Sequence, residues 1–303
     1  MAAESDESGR MNVLSVVAAA LIGSALTPAI LLPGAWASRA SRTFVGTFGF
    51  HIWVVTLGAQ TAFWGVIAIP LWRSLRTFRE EIRSHRLGVF GTALAFIAIL
   101  AGGPVAMRLP RLNPLDGATW KVTLLSSIGG LAVGIPALTG MVLVQIASRR
   151  RFRSRPPSKR DVERFVAMRN DLQRFLLVAG AMIALTTLAT GVLRNALLTD
   201  GLDPARFPPE LVLLYGAFFT AVIALAYVPA YTALVGAGRR IVELALPMPE
   251  PTAPDFGEWY EARKSLSEFL QLEVTVADRL QVGIIVLAPL TSAVLSIAIP
   301  KTA

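Results

Sequence analysis

Four side chains able to do chemistry, His51, Gln60, Lys121 and Arg194, fall within stretches of sequence that are otherwise almost wholly apolar. A charge at the centre of a bilayer-spanning helix costs about 2.5–3.5 kcal/mol on insertion scales, so a group that faces inward needs a purpose. An imidazole, an amide, an ammonium and a guanidinium can line a polar path or attract an anion or acidic headgroup. His51 and Lys121 lie near one end of their stretches, and Arg108, Arg194, Asn195 and Tyr215 belong to the same level. Gln60 and Thr61 sit midway along another stretch, as do Ser126, Ser127, Thr186, Thr187 and Thr190 in theirs, while Tyr227 and Tyr231 lie further in. Among these, Gln60 is the clearest candidate for a path, because a primary amide seeks up to four hydrogen-bonding partners. The competing reading is structural. Lys121, Arg108 and Arg194 can carry their heads to the interface along aliphatic stems, His51 can bond a nearby carbonyl, and the hydroxyls can tie helices together.

Other chemistry is missing. Cysteine is absent and there are two histidines, His51 and His85, so thiolate metal sites and three-histidine zinc sites are excluded. No phosphate-binding G-x-x-x-x-G-K-[ST], no H-E-x-x-H and no G-x-S-x-G occurs. The apolar stretches contain no Asp or Glu, which argues against a proton-coupled carrier with a buried carboxylate. Glu80 and Glu81 stand among Arg73, Arg76, Arg83 and Arg86, where pairing three or four residues apart accounts for them. We therefore expect no catalytic residues, no metal and no cofactor.

The elements that position these groups follow from composition. The chain has 303 residues, 54% hydrophobic and 16% charged, against roughly 25% charged in an average soluble domain. Seven apolar runs, at about 11–33, 46–71, 87–107, 119–147, 175–198, 211–236 and 280–299, approach the roughly 20 helical residues that cover a 30 Å hydrocarbon core. The expected fold is an all-α, polytopic membrane bundle of about seven transmembrane helices in a single membrane domain over 11–303, after a cytoplasmic tail at 1–10. The tail carries Glu4, Asp6 and Glu7 against Arg10, so the first run reads as a span rather than a cleavable signal.

Basic residues set the orientation. Connections 72–86, 148–174 and 237–279 hold five, ten and five Lys or Arg, and the intervening ones hold one or two. The rich loops fall on one side, which places them and the N-terminus in the cytoplasm and the C-terminus outside. Arginine outnumbers lysine 25 to 4 and alanine is abundant, the composition of a GC-rich bacterial gene, so the expected location is a bacterial inner membrane. The chain carries a net charge of +9, and its basic residues crowd these loops. Arg149, Arg150, Arg151, Arg153 and Arg155 form a run suited to anionic lipid headgroups, while a nucleic-acid role lacks interleaved aromatics.

After the first span the chain reads as three hairpins in parallel repeat. Trp53-Val54-Val55-Thr56-Leu57 and Trp120-Lys121-Val122-Thr123-Leu124 occur at matching places, each with a proline (Pro70, Pro136) further along, and Tyr215 with Pro229 follows the same plan. Gly130 and Gly134 form a small-xxx-small pair for helix packing. Ser158 is placed to cap a helix leading into the fifth span, and Pro289 divides the seventh. An amphipathic helix is expected over 255–278, packed on the cytoplasmic mouth of the bundle or on a partner.

Two functions fit. The leading one is a non-enzymatic channel or carrier for a small ion or solute, using His51, Gln60, Lys121 and Arg194. The other is a membrane-anchored regulatory subunit that meets a cytoplasmic protein through loop 148–174 and helix 255–278. A homo-oligomer with a pore between subunits is compatible with either, and an intramembrane enzyme acting on lipid ranks last.

Overall fold

In the computed structural model, which describes residues 13–31, 39–106, 119–151, 157–250, 255–272 and 276–298, each of the seven apolar runs is helical over most of its described residues. The helices are α1 (Val13–Leu31), α2 (Arg39–Val45), α3 (Phe48–Arg76), α4 (Arg79–Ser84), α5 (Arg86–Ala106), α6 (Thr119–Gly129), α7 (Ile135–Arg151), α8 (Lys159–Thr199), α9 (Pro209–Ala245), α10 (Phe256–Phe269) and α11 (Val276–Ala298). A π-helical segment, Gly130–Gly134, joins α6 to α7, and a 3₁₀ turn, Pro204–Arg206, precedes α9. No strand occurs among the described residues. Four segments, Phe48–Arg76, Lys121–Arg150, Lys159–Thr199 and Pro204–Ala245, are long and apolar enough to cross a membrane. The apolar helices Val16–Leu31, Arg86–Ile99 and Gly283–Leu295 are shorter over the residues described. Large apolar side chains are exposed along many of these elements, including Ile22, Val55, Leu87, Phe90, Leu225 and Ile284. Water would penalise such a surface and hydrocarbon does not.

Local signals explain where the helices begin. Thr47 is in extended backbone and its hydroxyl oxygen accepts from the Phe50 N–H at 3.2 Å, which starts α3. At the head of α8 the Asp161 carboxylate accepts from the Ser158 N–H at 2.9 Å and from its hydroxyl at 2.7 Å. The expected cap at Ser158 is thus present, and it starts a helix of 41 residues. At 1.5 Å per residue such a helix reaches about 60 Å, twice a hydrocarbon core, so its first turns project beyond the apolar run.

Helix α8 is the centre of the bundle, packed against α3, α7, α9 and α11. Small residues bring the helices close. A Cβ at Gly23 would collide with the Thr61 carbonyl, and one at Gly65 would collide with that of Ala19, so α1 and α3 touch backbone to backbone. The Thr61 hydroxyl donates to its own helix, to the Leu57 and Gly58 carbonyls at 3.1 and 3.0 Å. The Thr27 hydroxyl therefore donates across to Thr61, at 2.9 Å. Helix α11 lies between α8 and α9, with Gly180 against Ile285 and Gly216 against Pro289 and Ala293. Pro289 lies inside this one helix rather than splitting it.

Two further expectations meet a different arrangement. The helices α7 and α8 pack on each other, as do α9 and α11, but α5 lies against α7 instead of closing a hairpin with α3. The amphipathic helix is shorter than 255–278: α10 stops at Phe269, and Gln271 turns the chain with φ 50. Its Trp259 indole N–H donates to the Leu246 carbonyl at 3.3 Å and Leu270 is buried, so its apolar side is turned toward the end of α9.

Candidate functional site at the junction of α3, α8 and the π segment

Of the four sequence candidates, Gln60 takes part in a polar link between α3 and α8. It is 2% exposed, and its Nε2 donates to the Thr186 hydroxyl oxygen on α8 at 2.5 Å. The orientation of the amide follows from Thr186, whose proton is committed to the Met182 carbonyl at 2.9 Å. Thr186 consequently faces Gln60 with lone pairs, which only the amide nitrogen can use. The Gln60 Oε1 is turned elsewhere, buried and without a hydrogen-bond partner.

One turn further along the same face of α3 stands Trp64, 6% exposed, whose indole N–H is also buried without a partner. Residues four apart on a helix are neighbours, with Cβ atoms about 6 Å from each other. An acceptor and a donor are thus orphaned on one face of the helix, each at a desolvation cost of about 1–3 kcal/mol. Gly129 receives the benzo edge of Trp64, since any Cβ there would overlap that ring. Five residues on, Gly134 meets the Met182 sulfur, with a Cβ placed 3.2 Å from it. The π segment between these glycines therefore spans from Trp64 to Met182 and closes the junction. Single π turns inside α-helices occur frequently at functional sites.

The π distortion has a local cause. Pro136 has no N–H to give to the Ala132 carbonyl four residues back, and its ring crowds that carbonyl. The Ile135 N–H reaches Gly130 instead, five residues back. The Trp72 indole N–H fills the vacancy, donating to the Ala132 carbonyl at 3.0 Å. Sequence reasoning assigned Gly130 and Gly134 to packing. Gly134 fits that role, whereas a Cβ at Gly130 would meet open space.

The remaining candidates sit apart from the junction. His51 is exposed, with Nδ1 2.8 Å from the Thr47 carbonyl, so the ring bonds back to the start of its own helix. It precedes Gln60 by nine residues, which at 100° each is about half a turn out of phase, on the opposite face of α3. Lys121 is buried at the start of its segment. Arg194 is 8% exposed rather than snorkelling outward. Its Nε donates to the Phe207 carbonyl at 2.7 Å and its Nη1 to the Asn195 side-chain oxygen at 3.4 Å, which pins the turn between α8 and α9. Arg149 and Arg150 are exposed at the end of α7, and Arg150 donates to the Ser84 hydroxyl at 3.2 Å. Arg151 closes that helix, and Arg153, Arg155 and Arg108 lie outside the described residues, as do the tail 1–10 and loop 107–118.

A second polar cluster lies on the basic side. The Arg174 Nη1 donates to the Ser74 hydroxyl at 2.5 Å and lies 3.5 Å from the Asp171 carboxylate. Asp171 precedes the apolar run of α8. Burial raises its carboxyl above the usual aspartate range, against the opposing pull of the Ser74 hydroxyl and of Arg174. Nearby in sequence, Glu81 is 5% exposed, more enclosed than pairing on an exposed loop would make it. Among the described residues no group of three or more His, Cys, Asp or Glu could hold a metal ion.

Sequence reasoning missed Trp64 because a tryptophan in an apolar run reads as packing. The available signal was its spacing of four from Gln60, which puts the two on one helix face. No protein-family model, no characterised protein and no solved structure matches this chain.

Proposed function

We propose that this protein is a non-enzymatic membrane bundle that binds and passes a small solute or ion, with Gln60, Trp64 and Thr186 as its central site. The observation that carries this reading is the pair of unpartnered polar atoms, Gln60 Oε1 and Trp64 Nε1, buried beside a π-helical break. Helices that only pack together have no use for such groups, whereas a transient ligand supplies what they lack. In this reading the seven apolar helices all cross the membrane. The basic loops lie in the cytoplasm and the C-terminus outside, with a bacterial inner membrane as the setting. Arg149 and Arg150 contact anionic headgroups on the cytoplasmic face.

Flux through the purified protein in liposomes tests the reading. Gln60→Met, which keeps volume and removes both polar atoms, should reduce passage of whichever solute crosses. Equal passage through a well-folded variant would remove Gln60 from the path.

The second reading is a membrane-anchored subunit for a cytoplasmic partner. It draws on α10, where Arg263 stacks over Trp259 at 5.3 Å while Tyr260 and Phe269 remain exposed. Retention of a cytoplasmic partner that is lost on Tyr260→Ser and Phe269→Ser, with flux absent, would favour it.

A further inference from the structure

The two orphaned atoms differ in hydrogen-bonding sense, and that difference specifies a ligand. Gln60 presents a carbonyl-type oxygen and Trp64 an N–H, adjacent on one helix face at the junction of α3, α8 and the Gly130–Gly134 segment. The hydroxyl protons nearby are already committed. Thr186 donates to Met182, Thr187 to Ile183 and Thr190 to Thr186, each at 2.9 Å to a carbonyl of the same helix. An anion beside the indole N–H would also face the negative end of the Gln60 amide, whose oxygen has no proton to offer it. A cation would find the amide oxygen but meet the positive edge of the indole N–H, with no Asp or Glu in any apolar run to balance its charge. A molecule that accepts from Trp64 and donates to Gln60 satisfies both at once.

Resting on the transport reading above, we infer that Gln60 and Trp64 together bind a small uncharged molecule with both a donor and an acceptor. Water occupies the place in the resting protein, and neutral solutes of the size of urea are the transported class. A buried water is held by two to four polar partners, and this junction supplies one acceptor and one donor of that kind.

The test reads the site and the flux separately. Protein containing 5-fluorotryptophan is reconstituted in liposomes, and the fluorine resonance of Trp64 is assigned by its loss in Trp64→Phe. A shift of that resonance between H₂O and D₂O, and a further shift with urea but not with KCl, is expected. In parallel, urea entry is followed by osmotic light scattering, and ion passage by conductance. Trp64→Phe and Gln60→Met should each lower urea permeability about tenfold, the factor that one ordinary hydrogen bond carries. Absence of a solvent isotope shift at Trp64 would overturn the inference whatever the flux. Ion conductance that depends on Gln60, with no urea entry, would keep the transport reading and overturn the neutral class. An isotope shift and urea response without any flux would keep the binding site and overturn transport. Trp64→Phe preserves an aromatic ring against Gly129, so the comparison does not hinge on whether the glutamine variant folds.

Discussion

The indole N–H of Trp72 donates to the carbonyl of Ala132, the acceptor that Pro136 leaves vacant four residues later in the chain. A side chain on α3 thereby repairs a defect that a proline makes in a neighbouring helix, and the repair joins the two helices. In hydrocarbon, where water cannot serve as substitute, a freed carbonyl needs such a partner. Trp72→Phe should lower stability by about 1–2 kcal/mol, since it removes the donor and keeps most of the ring. Pro136→Ala restores a backbone donor, so the same tryptophan substitution should cost less than half as much in that background. Unfolding of the four proteins in one detergent gives the cycle, and equal costs in both backgrounds would show that the bond does not compensate for the proline.

Close approach of α1 and α3 makes a sharper contrast among glycines. Gly23→Ala and Gly65→Ala place a methyl group against backbone, which cannot turn aside, and each should destabilise by about 1–3 kcal/mol. Gly88→Ala and Gly91→Ala, in α5, meet nothing within 4 Å and should be neutral or stabilise by up to about 1 kcal/mol. Thermal denaturation of the four variants checks the ordering, and similar losses at all four positions would refute the packing account.

Arg194 holds the turn between α8 and α9 through the Phe207 carbonyl. Arg194→Gln should cost about 1.5–3 kcal/mol, the range for hydrogen bonds from a charged donor. It should also open the 200–208 connection to limited proteolysis. Arg194→Lys should not restore protection, because an ammonium lacks the guanidinium's fixed planar donors. Restoration by lysine would mean that charge alone matters at this position.

Asp171 gives a pH dependence with a definite sign. Its carboxyl is raised by burial, so the folded protein holds the proton more tightly than the unfolded chain does. Its contribution to stability is therefore fullest below the unfolded value near ~3.9 and is lost as pH rises through the raised folded value. Asp171→Asn removes that loss. The variant's melting temperature relative to the parent should climb as pH increases from the unfolded aspartate value near ~3.9 through the raised folded value, and then level off. A difference that falls over the same interval would mean that Arg174 and Ser74 outweigh burial.

The helices and their apolar character were legible in the residues themselves, because length, apolar composition and the Ser158 cap are properties of contiguous sequence. Gln60 was legible as a polar residue in the wrong solvent, and its bond to Thr186, 126 positions away, was not. Helical period fixes which residues share a face of one helix, so it could pair Gln60 with Trp64 and set His51 opposite. It carries no information about which face of another helix arrives there. That choice was made by packing: Gly23 and Gly65 admit α1 to α3, Gly129 admits the Trp64 ring, and Gly180 and Gly216 admit α11. The same limit applies to Arg194, which by position reads as an interfacial cation and in the folded chain serves the Phe207 carbonyl. Sequence by itself determined an apolar helical protein with its basic loops and an amide, Gln60, midway along an apolar run. Only the tertiary structure decided that this amide keeps an unpartnered oxygen beside an unpartnered indole, because that depends on contacts among three separate segments of chain.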